Sequence, residues 1–164
     1  MNSTVLKAAI AVCGVVLALV ATLKVSLIGS HANADERSIV GTWRTTIVRR
    51  SCESGAPEAT FQGVLTFNSG GTLIGDSTVV RPAIKSVSYG VWQREHGWND
   101  NSFSFMFYRF NSDGTVAGSQ VVRQSLTLSE SGEQFTTTGN FEVLDLNDVP
   151  IASACATSTG VRFK

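Results

Sequence analysis

His96 stands in the run REHGWND (residues 94–100), with Glu95 beside it and Asp100 close by. A histidine held by a carboxylate is the usual makings of a general base, provided the partner is positioned within hydrogen-bond reach. The run is polar and reads as a connection between two strands at the closed end of the fold, so the plainer reading is an exposed loop histidine. Metal chemistry finds no better footing. Zinc needs three or four ligands, whereas after residue 34 the chain offers His96 with Cys52 and Cys155. The run NSDGT (111–115) is too short for a calcium loop. GGTLIGDS (70–77) lacks the lysine of a phosphate-binding loop. Ser119, in AGSQ, has neither a nucleophile elbow nor a histidine to activate it. No catalytic residue, metal site or cofactor is therefore assigned.

A second group of residues points to binding rather than reaction. Phe61, Phe67, Tyr89, Trp92, Phe103, Phe105, Phe107, Tyr108 and Phe141 lie in or beside apolar runs. Together they form either a packed core or the wall of a cavity. Arg109, Arg123, Gln120, Glu142 and Asp76 interrupt the same runs. Such residues ordinarily face water, but Arg109 and Glu142 turned inward near an open end would orient the polar head of a guest. The candidate ligand-contacting set is Phe61, Tyr89, Phe105, Phe107, Arg109, Phe141 and Glu142. Glycines at 63, 75, 90, 118 and 139 remove side chains from strand interiors, making room or marking bulges.

These residues have to be positioned by strands. After Arg37 the chain consists of short runs rich in Val, Thr and Phe, bounded by Gly, Asn, Asp and Ser. Eight strands are predicted, at 39–50, 60–67, 72–80, 86–94, 103–110, 115–128, 134–145 and 150–163. FNSGGTL (67–73), FNSDGTV (110–116) and SESGEQF (129–135) mark tight turns, where glycine supplies positive φ. Short links imply an all-β, eight-stranded antiparallel up-and-down β-barrel, since closure removes exposed edges. A β-sandwich is the rival if connections cross over. In a closed meander the first and last strands run antiparallel. Trp43 then meets Arg162, and Cys52 lies close to Cys155 along the same seam. An indole under a guanidinium gains about 0.5–2 kcal/mol.

The chain has 164 residues, 13 basic and 13 acidic. Lys7 and Lys24 belong to residues 1–34, which hold no acid, so 11 basic residues face 13 acids beyond them. A balance this near neutral leaves no footprint for nucleic acid. Residues 1–34 read as a signal peptide: Lys7, then the apolar run AAIAVCGVVLALVATL (8–23), then Ala32-Asn33-Ala34 for cleavage. An uncleaved N-terminal anchor is the alternative. The expected domains are thus the leader at 1–34 and a barrel at 35–164, secreted or periplasmic. Export favours a Cys52–Cys155 disulfide, worth up to about 4–5 kcal/mol for a loop of this length.

Gly41-x-Trp43 on a first strand, with Arg162 after the last, resembles the calycin superfamily and, within it, the lipocalin-like barrels. The resemblance implies structural roles for Gly41, Trp43 and Arg162 and a barrel that holds a small, largely apolar molecule. Two other readings stay open: a protein-interaction module with a filled core, and a cyclase-like enzyme that shapes its substrate.

Overall fold

The computed structural model describes residues 37–78 and 84–164; the leader expected at 1–34 lies outside them. Eight strands follow one another: β1 (Gly41–Arg50), β2 (Pro57–Phe67), β3 (Thr72–Ser77), β4 (Ser88–His96), β5 (Asp100–Phe110), β6 (Val116–Leu128), β7 (Gln134–Leu144) and β8 (Pro150–Arg162). Each pairs antiparallel with its chain neighbour, and β1 pairs with β8, so the sheet closes as a barrel in sequence order. The sandwich alternative required crossovers, and the order contains none. β2 and β5 begin three residues before their predicted starts. Pro57-Glu58 and Asp100-Asn101 carry no apolar strand signal, yet they extend ladders that apolar runs alone do not reveal.

Alternation decides what faces inside. On β6, Gln124, Leu126 and Leu128 are buried while Arg123, Ser125 and Thr127 are exposed. Three register shifts, at Arg49/Arg50, Arg109/Phe110 and Val143/Leu144, fall at one end of the barrel, and a fourth, at Arg94/His96, falls at the other. Bulges commonly sit at barrel rims, where they bend strands. The end with three shifts, framed by the connections 51–56, 111–115 and 145–149 and by residues 84–87, is called the mouth.

The opposite end is packed solid. Ile39, Trp43, Leu65, Phe67, Leu73, Phe103, Leu126, Leu128 and Phe135 form one cluster. Trp43 and Phe135 stand 5.0 Å apart, and Phe67 meets Phe103 and Phe135 edge-on, the favoured geometry for aromatic quadrupoles. Phe135 lies across Gly160, in the space a Cβ there would occupy. Trp43 is fully buried and its Nε1 donates to the Ile39 carbonyl at 2.8 Å, so the indole has no orphan donor.

Trp43 and Arg162 are register partners. The guanidinium carbon sits 4.3 Å from the indole centroid. Its nitrogens donate to the carbonyls of Val40 (2.9 Å), Ser38 (2.6 Å) and Gly132 (2.9 and 3.2 Å). One planar fork thus ties the approach to β1 to the β6–β7 turn. Gly41 makes this possible: its φ is 133°, and a Cβ would lie 2.8 Å from Arg162 Nη1. At the mouth end of the same seam, Cys52 and Cys155 form a disulfide across a sequence separation of 103.

Two outcomes follow for urea unfolding of the chain. Arg162→Ala loses about 3 kcal/mol, from the stacking and the charge-assisted bonds together. Arg162→Lys recovers little of it, because an ammonium cannot bridge three carbonyls while lying flat on a ring. The double substitution Cys52→Ala/Cys155→Ala loses about 4–5 kcal/mol through the freed unfolded chain, and its fold survives in the cold because the packed end does not depend on it.

Candidate functional site

The mouth half of the barrel is hollow. A cavity of about 280 Å³ lies above the packed end. Phe61 from β2, Phe103, Phe105 and Phe107 from β5, and Phe141 from β7 supply its aromatic wall, with Ile47, Leu65, Val122 and Val143 between them. Phe103 and Phe105 stack at 6.0 Å with planes 7° apart. Aromatic and aliphatic side chains with a few polar groups are the usual lining of a small-molecule site.

Of the seven predicted ligand-contacting residues, five line this cavity: Phe61, Phe105, Phe107, Arg109 and Phe141. Tyr89 and Glu142 do not. Strand parity excludes both. On β4 the inward position is Ser88, which is 4 % exposed, so Tyr89 faces water at 62 %. On β7 the inward positions are Phe141 and Val143; Glu142 lies outside, where Arg123 Nη1 meets its carboxylate at 2.7 Å. Glu142 and Phe141 are adjacent, and adjacent strand residues point to opposite faces. Of the five glycines suspected of making room, Gly75 lines the cavity. Gly118 lies at the β5–β6 register shift with φ 121°.

His96 closes β4 opposite Asp100, beyond the packed end and away from the cavity. Glu95 is engaged elsewhere: Gln93 Nε2 donates to it at 2.7 Å and Ser102 Oγ also bonds it. Those two bonds hold its carboxyl below the usual range. Among the described residues no cluster of three or more His, Cys, Asp or Glu could hold a metal ion.

Sequence reasoning missed a belt of polar side chains at the inner end of the cavity. Thr45, Gln124, Thr137 and Ser158 are each one inward position mouthward of a packed-end residue or its partner, and all are at most 9 % exposed. Thr137 Oγ1 and Ser158 Oγ satisfy one another at 2.6 Å. Thr45 Oγ1 and both amide atoms of Gln124 have no hydrogen-bond partner. Counting in steps of two from Leu126 would have placed Gln124 inside.

The wall has one unusual stretch. β3 and β4 pair only from Thr72↔Val91 to Gly75↔Ser88. Mouthward of that, residues 85 and 86 turn to β5: Lys85 bridges Arg109, and Ser86 N donates to the Tyr108 carbonyl at 2.9 Å. The side chain of Lys85 spans the remaining gap. It is 3 % exposed, its Nζ lies 5.4 Å from the Phe107 centroid, and it bonds the carboxylate of Asp76, which is 63 % exposed. The Lys85 hydrogen bond, and after it the Ser77 amide, holds the Asp76 carboxyl below its ordinary 3.8 in spite of some desolvation. On the rim, Asp145 accepts the amides of Val149 and Asn147, which lower its carboxyl in the same way.

No family model matches the sequence, and no curated protein shows significant similarity to it. Among solved structures the chain is similar to an S-type phycobiliprotein lyase, CPES, from Guillardia theta. The identity is 11 %, over 82 % of this chain and 93 % of that one, with a TM-score of 0.36. A likeness that loose adds nothing to what the strand order already shows. The closed eight-stranded meander itself fits a calycin-type barrel.

Asp76 has a lowered folded-state value, so its stabilisation is present above its unfolded value and disappears as pH falls through the folded one. Asp76→Asn should therefore be less stable than the parent at neutral pH. The gap should narrow as the pH falls below the ordinary carboxylate value of about 4, as read by paired thermal melts in low salt.

Proposed function

We propose that this protein binds a small, largely apolar molecule inside the mouth half of its barrel, in an exported compartment. The cavity carries the reading. Eight-stranded barrels are just wide enough to be filled by side chains or to hold one small ligand. Here the lower half is filled and the upper half is left open with five phenylalanines on its wall. The disulfide is in keeping with an oxidising compartment. An enzymatic role finds less support. Among the described residues, the acid that lines the cavity, Asp76, is held by Lys85, and no histidine lines it.

A specific observation favours a second reading, that of a protein-interaction module. Ile74, Tyr89 and Met106 are register partners across β3, β4 and β5 on the outer face. With Val91 and Tyr108 beside them they leave an apolar row, each member at least 36 % exposed. Such rows are a mark of contact surfaces. It accounts for the outside of the barrel and leaves the hollow interior unexplained, so it ranks second.

Titration with lipophilic fluorophores tests the first reading. Saturable binding is expected in the parent. Ala156 lies on the cavity wall at 6 % exposure, and Ala156→Phe should weaken binding by about ten-fold or more with the fold retained. Absence of saturable binding to every fluorophore in the parent overturns it.

A further inference from the structure

Gln124 presents a problem that its own fold does not solve. The residue is 7 % exposed and lies in the wall of the cavity. Neither Nε2 nor Oε1 has a hydrogen-bond partner. A carboxamide offers two donors and an acceptor, and buried polar groups are nearly always paired. On β6 its neighbours are Phe103 across one ladder and Gly139 across the other, and neither side chain can hydrogen-bond. Leu126, two residues on, shows that an apolar side chain is readily accommodated on this face of the strand. Thr45 adds a second orphan at the same depth: it is 2 % exposed, lines the same cavity, and its Oγ1 is unpartnered. Nearby Thr137 and Ser158 show the alternative, since they neutralise one another.

We propose that the inner end of the cavity is a recognition subsite for a neutral head group carrying an adjacent donor and acceptor, of the lactam or carboxamide class, which enters first and pairs with Gln124. This rests on the binding function proposed above and specifies the class of guest. The terminal torsions of glutamine are broad, so a small rotation brings its amide onto such a head, forming a two-bond ring of N–H to O and O to H–N. Thr45 Oγ1 supplies a further donor or acceptor. Charge selects among heads. The polar residues one inward step from the packed end, Thr45, Gln124 and Ser158, are all neutral. An ionised carboxylate brought down to them would be buried without a counter-ion, which is costly. The cations of the wall, Arg49, Arg109 and Lys85, stand mouthward instead, and Lys85 is already bonded to Asp76. From Phe103, the register partner of Gln124, to Arg109 is six residues along β5, or about 20 Å of strand. The apolar body of the guest occupies the phenylalanine-lined stretch between.

The test uses the full chain and three probes with one apolar body: a butyl-substituted pyrrolidinone bearing a free N–H, the matching butylcyclopentanone, and butylcyclopentane. Displacement of a bound lipophilic fluorophore reads their affinities. The lactam is expected to bind about ten-fold or more tighter than the hydrocarbon, with the ketone between them. Gln124→Met keeps the volume and removes the amide. It should abolish or reverse that order and raise the melting temperature of the unliganded protein, because two orphan groups are gone. Thr45→Val, tested beside it, should diminish the lactam preference without eliminating it. Equal affinities in the parent, with the fluorophore still bound saturably, overturn the head-group assignment and leave the apolar cavity standing. A preference that survives in Gln124→Met also overturns it. Failure of the parent to bind any fluorophore overturns the binding function and the subsite together.

Discussion

The barrel depends on one contact between the two ends of its chain. A closed sheet has no edges only if its first and last strands find each other, and those strands are the most distant in sequence. Arg162 makes the meeting specific. It lies on the Trp43 ring while binding carbonyls on both the approach to β1 and the β6–β7 turn. A lysine or an aliphatic residue could fill the space but could not satisfy three carbonyls from one plane. Gly41 is coupled to the same arrangement, since any side chain there would collide with the guanidinium.

The closed seam leaves the two halves of the barrel with different physics. Around Trp43 the rings of Phe67, Phe103 and Phe135 interlock, and space is filled by aromatic contacts. The inward positions of β8 are small throughout: Phe135 covers Gly160 at the packed end, while Ser158 and Ala156 lie on the cavity wall. The disulfide sits at the mouth end. Unfilled volume forfeits dispersion contacts, and a crosslink that restricts the unfolded chain offsets such a loss without occupying the interior. The two fastenings of the β1–β8 seam therefore do separate jobs: Arg162 supports a full core, and the disulfide supports an empty one.

Much of this was legible in the sequence because strands, turns and closure are local or pairwise signals. The glycine turns, the eight runs and the Trp43–Arg162 pairing needed only spacing and residue type. The cavity wall was half legible. Phe61, Phe105, Phe107, Arg109 and Phe141 were identified by composition, and their common face is confirmed by register. Tyr89 and Glu142 show the limit of that approach. Tyr89 is aromatic and Glu142 sits beside Phe141, but a pleated strand assigns faces by position, not chemistry. The bulge at Arg109/Phe110 compounds the difficulty, since one extra residue inverts the count beyond it. Gln124 and Thr45 went unnoticed for the complementary reason. Polar residues in half-exposed strands ordinarily face solvent, and only the two-residue step from Leu126 to Gln124 and from Trp43 to Thr45 reveals the shared face.

A barrel that was only a scaffold would have no reason to keep those two residues. Leucine at 124 and valine at 45 would satisfy the fold as well, since each removes a polar group that has no partner in the protein. The packed end a single step below shows that this chain fills space efficiently where filling is required. On the binding function proposed above, the unfilled volume and the unsatisfied amide have one cause: a guest supplies both the missing contacts and the missing hydrogen bonds.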